Sequence, residues 1–159
     1  MKNKKRWVLR LLLSLLSIFA IGFIFYQSSL PADESMQESG RLLAWINSVL
    51  GAIHPSLVLD QFIVRKAAHF TEYFCLGCLL FGTFYAYLSK RLRALLCALP
   101  AGLIVAVCDE MIQTVSKGRS CELRDIMIDC SGVLCGALII LFIISLVLSH
   151  KRKRKVKHE

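Results

Sequence analysis

Eleven side chains suited to acid–base, anion-binding or metal-ligating chemistry fall into three patterned groups: Arg65-Lys66-x-x-His69-x-x-Glu72-Tyr73, Asp109-Glu110-x-x-Gln113, and Arg119 leading to Asp125 and Asp129. His69 with Glu72, or with Asp109 and Glu110, supplies the candidates for an acid–base pair. An imidazole and carboxylate oxygens together would suit Zn or Mn better than a soft metal. Arg65, Lys66 and Arg119 offer cations for a phosphate or carboxylate. Only one histidine joins these groups, and no serine or cysteine stands in a clear nucleophile context. Catalysis through His69, Glu72, Asp109 and Glu110 is therefore the alternative reading, and no metal or other cofactor is assigned.

The groups interrupt a chain that is 56% apolar, against roughly 45–50% in soluble proteins. Four apolar stretches, near Trp7–Tyr26, Ala67–Leu88, Leu92–Ser116 and Ile126–Leu148, approach the roughly 20 residues that cross a bilayer. Pro100 and Gly102 lie inside the third, and proline is tolerated in membrane helices whose neighbours satisfy the freed carbonyl. A lone charge at the centre of a membrane helix costs about 2.5–3.5 kcal/mol on insertion scales. A chain that keeps so many must pair them or use them. The expected fold is all-α: a polytopic membrane protein of four transmembrane helices.

Between the first and second stretches, Leu42, Trp45, Ile46, Val49, Leu50 and Ile53 recur at helical spacing. Ser35 with Glu38 reads as a capping box, and His54-Pro55 as the stop. This predicts an amphipathic helix at the outer membrane interface, or a lid packed over the bundle. The domain division is 1–27 for a basic start and an uncleaved first helix, 28–62 for the outer loop, 63–148 for a three-helix core, and 149–159 for a basic tail.

The net charge of +9 is concentrated at Lys2–Arg10, Lys90–Arg93 and Lys151–Lys157. Such clustering at segment borders is the positive-inside signal, which places both termini in the cytoplasm of a multi-pass cell-membrane protein. No nucleic-acid partner is expected. Of the seven cysteines, only Cys121 lies outside the apolar stretches; the others read as small apolar residues.

Orientation then makes the three groups meet. At 1.5 Å per residue, His69 and Glu72 lie roughly 6 and 10 Å below Arg65, Asp109 about 10 Å below Ser116, and Asp129 about 6 Å below Asp125. All three groups fall at one depth on the outer side. Asp125, Asp129, Gly132 and Gly136 share a stripe that would admit a close helix neighbour, turn Asp129 inward, or serve a homo-oligomer. The cluster is expected either to hold the helices in register through ion pairs or to bind a polar ligand; a transport relay fits four short helices less well.

These same motifs, with Gly77, Gly118 and Gly132, resemble the VanZ-like membrane proteins over about Gln61 to Ile140. The resemblance implies four membrane helices, an outer segment before the first motif, and a signature on Arg65, Lys66, His69, Glu72, Tyr73, Asp109, Glu110, Gln113, Arg119 and Asp125. Asp129 stands where that family usually has Asn. The family takes its name from a member that raises resistance to teicoplanin, a glycopeptide acting at the outer membrane face. It therefore implies the lipid bilayer as setting, and a lipid headgroup, lipid-linked cell-wall precursor or glycopeptide as ligand.

Overall fold

A computed structural model describes residues 2–53 and 58–156. It contains five α-helices: α1 (Lys2–Ser29), α2 (Ala32–Ile53), α3 (Gln61–Leu88), α4 (Arg91–Val115) and α5 (Leu123–Val156). No strand occurs among the described residues. Three segments, Asn3–Ser29, Arg91–Val115 and Leu123–His150, are long and apolar enough to cross a membrane. The helix α3 is equally long at 28 residues, but Arg65, Lys66 and Glu72 dilute its first half. The outer faces are apolar, with Phe19 72%, Ile104 63% and Phe142 61% exposed. So much bare hydrocarbon surface suits lipid, not water.

The helix α3 is central and packs on all four others, most closely on α5. Glycines set that approach. A Cβ on Gly132 would stand 2.7 Å from the Phe70 carbonyl oxygen, and one on Gly77 or Gly136 would collide with the backbone of Val133 or Phe74. The Gly132–Gly136 stripe is thus filled by α3 of the same chain. This is the close helix neighbour that the stripe would admit. From the other side, Val133 meets Gly102 of α4, where a Cβ would lie 2.5 Å from its Cγ1. Ala94, Ala98 and Ala106 let α4 sit equally near the core of Tyr73, Leu76, Phe81 and Val133.

The start of α1 and the end of α3 lie together, joined by Arg10 Nε donating to the Ala86 carbonyl at 2.9 Å and by Ser17 and Thr83 hydroxyls 3.0 Å apart. The chain turns from α3 into α4 through Ser89, whose left-handed φ of 58° closes the helix with an N–H donated to the Tyr85 carbonyl. Arg91 reaches Ser145 of α5 at 2.8 Å. Arg10, Lys90, Arg91 and Arg93 therefore share one end of the bundle, and the patterned polar groups share the other.

Several local expectations are corrected. The helix α3 begins at Gln61, one turn before Arg65, its expected outer end, so Arg65 and Lys66 are side chains of its second turn. The helix α2 begins immediately after Pro31, with the Ser35 N–H already bonded to the Pro31 carbonyl at 3.1 Å. Ser35 is inside the helix, so no capping box forms there; Asp33 and Glu34 occupy the first turn instead. His54-Pro55 lies outside the described residues. The first helix packs into the bundle, with Ser17, Ile24 and Ser28 buried.

Candidate functional site

Two layers of polar residues occupy the end of the bundle opposite the basic turn. The upper layer lines a pocket of about 190 Å³, walled by Arg65, His69 and Glu72 of α3, Arg119 of the α4–α5 loop, Gln27 and Ser28 of α1, and Ser35, Glu38 and Ser39 of α2. The lower layer is buried behind it: Lys66, Asp109, Glu110, Gln113, Asp125 and Asp129. Helical spacing explains the split. Arg65, His69 and Glu72 share one face of α3, while Lys66 and Tyr73 are turned toward α5 and α4.

The lower layer shows which charges are structural. Lys66 is 8% exposed and is held by Asp125, with Glu122 3.7 Å away and the Phe62 ring centroid 5.2 Å away. It is not among the residues that line the pocket. Asp125 lies in the first turn of α5, where the helix dipole also favours a carboxylate. Glu110 accepts the Glu122 backbone N–H at 2.9 Å, which satisfies a donor at the start of α5. Gln113 donates to Asp109 at 3.3 Å and to Ser28 at 3.4 Å. Tyr73 has no exposed surface.

Arg119 lines the pocket and also ties the α4–α5 loop to α1 and α2. Its Nη1 donates to the Gln27 and Ser28 carbonyls at 3.1 Å, and its Nη2 donates to Ser35 at 3.3 Å. These are unsatisfied carbonyls at the end of α1, where a cation also meets the negative end of the helix dipole. Desolvation, and then the like charge of Arg65, lower its pKa, but a guanidinium stays protonated in a protein. Arg65 is the contrasting case. It makes no ion pair or side-chain hydrogen bond among the described residues.

Some carboxylates remain uncompensated. Asp109 Oδ1, Glu110 Oε1, both oxygens of Asp129, His69 Nδ1 and the Tyr73 hydroxyl are buried without a hydrogen-bond partner among the described residues. Pairing by Arg65, Lys66 and Arg119 therefore does not account for the whole cluster.

A second cavity adjoins the pocket. It is an apolar groove of about 610 Å³ between α1, α2 and α3, lined by Phe19, Phe23, Ile46 and Ile63, among others. Leu42, Val64, Ala68 and Glu72 line both spaces. The helix α2 forms their common wall, held by Gln61 donating to the Met36 carbonyl at 2.9 Å and by Asn47 bonding both backbone groups of Leu59. Trp45 and Ile53 of the same helix are 66% and 76% exposed.

Reasoning from sequence missed the pocket lining that α1 and α2 contribute, Gln27, Ser28, Glu38 and Ser39, and, from the α4–α5 loop, Glu122 beside Lys66. The polar run Gln27-Ser28-Ser29 directly after an apolar helix was the available signal.

An all-helical bundle with three membrane-length apolar segments and a buried polar cluster at one end defines the class as a membrane-type helix bundle. A family model described as VanZ/LLP1 matches residues 13–145, and the chain belongs to that family. Comparison with curated proteins and with solved structures found no match.

Proposed function

We propose that this protein holds an amphiphile at the outer face of the bacterial cell membrane, its zwitterionic or anionic headgroup in the polar pocket and its hydrocarbon chain in the adjoining groove. In this reading α1, α3, α4 and α5 span the membrane and α2 lies at the outer interface as a roof. The basic ends and the Ser89–Arg93 turn are cytoplasmic, as the positive-inside rule requires.

The observation that carries the reading is the continuity of the two cavities through Leu42, Val64, Ala68 and Glu72. Hydrocarbon gains little by moving from lipid into an apolar groove, because lipid tails are equally apolar. Selection must therefore come from the headgroup, and Arg65 is the pocket cation with no partner among the described residues. A pocket of about 190 Å³ is below the roughly 300–1,000 Å³ of drug-sized sites. That favours a headgroup, such as that of a lipid-linked wall precursor, over the core of a glycopeptide. Retaining such a precursor would connect the chain to teicoplanin-type resistance.

Full-length protein in nanodiscs is expected to bind a polyprenyl phosphate in preference to the polyprenol of equal length. Arg65→Gln should weaken the phosphate about tenfold, the loss of one charge-assisted hydrogen bond of about 1.5 kcal/mol. Equal binding of phosphate and alcohol would reject the headgroup site. A strain lacking the protein should become more sensitive to teicoplanin and be restored by the wild type but not by Arg65→Gln.

Orientation has its own test. With Cys121, which is exposed, kept as the single cysteine, an impermeant maleimide should label intact cells. Lys90→Cys, placed in a Cys-free chain, should react only after permeabilisation. The opposite pattern sinks the outer-face assignment.

A further inference from the structure

Beneath the pocket, one donor from each of three helices converges. His69 of α3, Asp109 of α4 and Asp129 of α5 each offer a ligand atom within 4.8 Å of the other two. His69 Nδ1 stands 3.9 Å from Asp129 Oδ1. Both aspartates are fully buried and the His69 side chain is 11% exposed. His69 Nδ1, Asp109 Oδ1 and both Asp129 oxygens lack a hydrogen-bond partner among the described residues. Buried polar groups normally find partners; the Tyr73 hydroxyl beside Asp109 can supply one donor, and an ion held between the three residues would meet the remaining atoms together.

We infer that His69, Asp109 and Asp129 form a binding site for a single divalent cation of the Mn²⁺ or Zn²⁺ type. Charge supports this first. Two carboxylates and a neutral imidazole around a divalent ion sum to zero, whereas two bare carboxylates in the same space repel and are poorly solvated. Donor type supports it next, since one imidazole nitrogen with carboxylate oxygens matches borderline to hard first-row ions rather than thiophilic ones. Distance is the third support. An ion bound at roughly 2.0–2.2 Å from each ligand keeps its donors about 3–4 Å apart, which a small inward movement of the three helices achieves. Gln113, donating to Asp109, would orient that ligand from outside the coordination sphere. The ion would tie α3, α4 and α5 together behind the pocket floor, and His69 would link it to the pocket, whose lining it shares.

This inference does not depend on the amphiphile reading, and the test keeps them apart. Full-length protein in nanodiscs is stripped with EDTA, its cysteines are alkylated, and Mn²⁺ is titrated while the free-ion spin-resonance signal is followed. Saturable uptake of one Mn²⁺ per chain is expected, with a melting temperature that rises with Mn²⁺ concentration. Asp129→Asn should weaken uptake by more than roughly tenfold, the scale of loss that even outer-sphere changes reach. Without metal it should melt no lower than the stripped wild type, because it removes an uncompensated buried carboxylate. His69→Gln serves as the second variant if Asp129→Asn does not fold. Arg65→Gln should leave Mn²⁺ uptake unchanged while weakening the phosphate probe. Absence of saturable uptake by the wild type, or undiminished uptake by the folded ligand variant, overturns the site.

Discussion

Gly136→Leu is expected to abolish accumulation of folded protein, while Gly22→Leu, one apolar substitution of the same kind in α1, leaves it unchanged. At Gly136 a Cβ would run into the Phe74 carbonyl and come within 2.9 Å of the Cys78 backbone nitrogen. Both obstacles are backbone, so no rotamer change relieves them, and α3 and α5 would have to separate. That disturbs the closest helix pair in the bundle and the donation from Cys78 Sγ to the Gly136 carbonyl at 3.4 Å. Overpacking costs about 1–3 kcal/mol where side chains can give way, and a backbone collision belongs at or above the top of that range. At Gly22 nothing lies within 4 Å. The measurement is the monodisperse fraction after detergent extraction, with the thermal midpoint of whatever survives. A folded Gly136→Leu chain with an unchanged midpoint would show that α3 and α5 do not meet as described.

Lys66→Met should be nearly as damaging, and for a different reason. Asp125 is 4% exposed and Lys66 is its only ion-pair partner among the described residues. Removing one member of a buried pair typically costs about 3–5 kcal/mol, because a charge is left without compensation. The double variant Lys66→Met with Asp125→Leu replaces both charges by apolar groups and is expected to recover most of the loss, since buried ion pairs contribute little net stability compared with good packing. Thermal midpoints of the four proteins in the cycle measure the coupling. If the single variant is unaffected, Lys66 is not the structural cation of this cluster. If the double variant is no better than the single ones, the residues matter for more than their mutual charge.

The two substitutions bear on different parts of what the sequence made legible. The membrane-type helices were readable because apolar runs of membrane length leave little alternative, and the observed α4 and α5 start or end within a few residues of the expected limits. The start of α3 was not, because Asp60, Gln61, Arg65 and Lys66 lower the hydropathy around a helix start that lies at Gln61. That the groups containing His69, Asp109 and Asp129 share one depth followed from spacing and helix direction, because residue number converts directly into depth along a helix; that these three side chains meet did not. The same rise predicted depth correctly but carried no information about which neighbour occupies a face.

Neighbours were therefore what tertiary structure decided. Arg65 and Lys66 are adjacent cations in the sequence, yet a turn of about 100° between successive helical residues sends one to the pocket and the other to Asp125. Arg119 looks like a free loop cation, but the end of α1 supplies carbonyls that bind it. The glycines of α5 could have faced lipid, a second copy or another helix, and only the packed bundle assigns them to α3. Amino-acid type and spacing determine the helices, their order and the depth of each polar residue; rotation about each helix axis, set by which apolar and glycine faces bury most completely against one another, determines which charges pair, which face the pocket, and which stay unpartnered among the described residues.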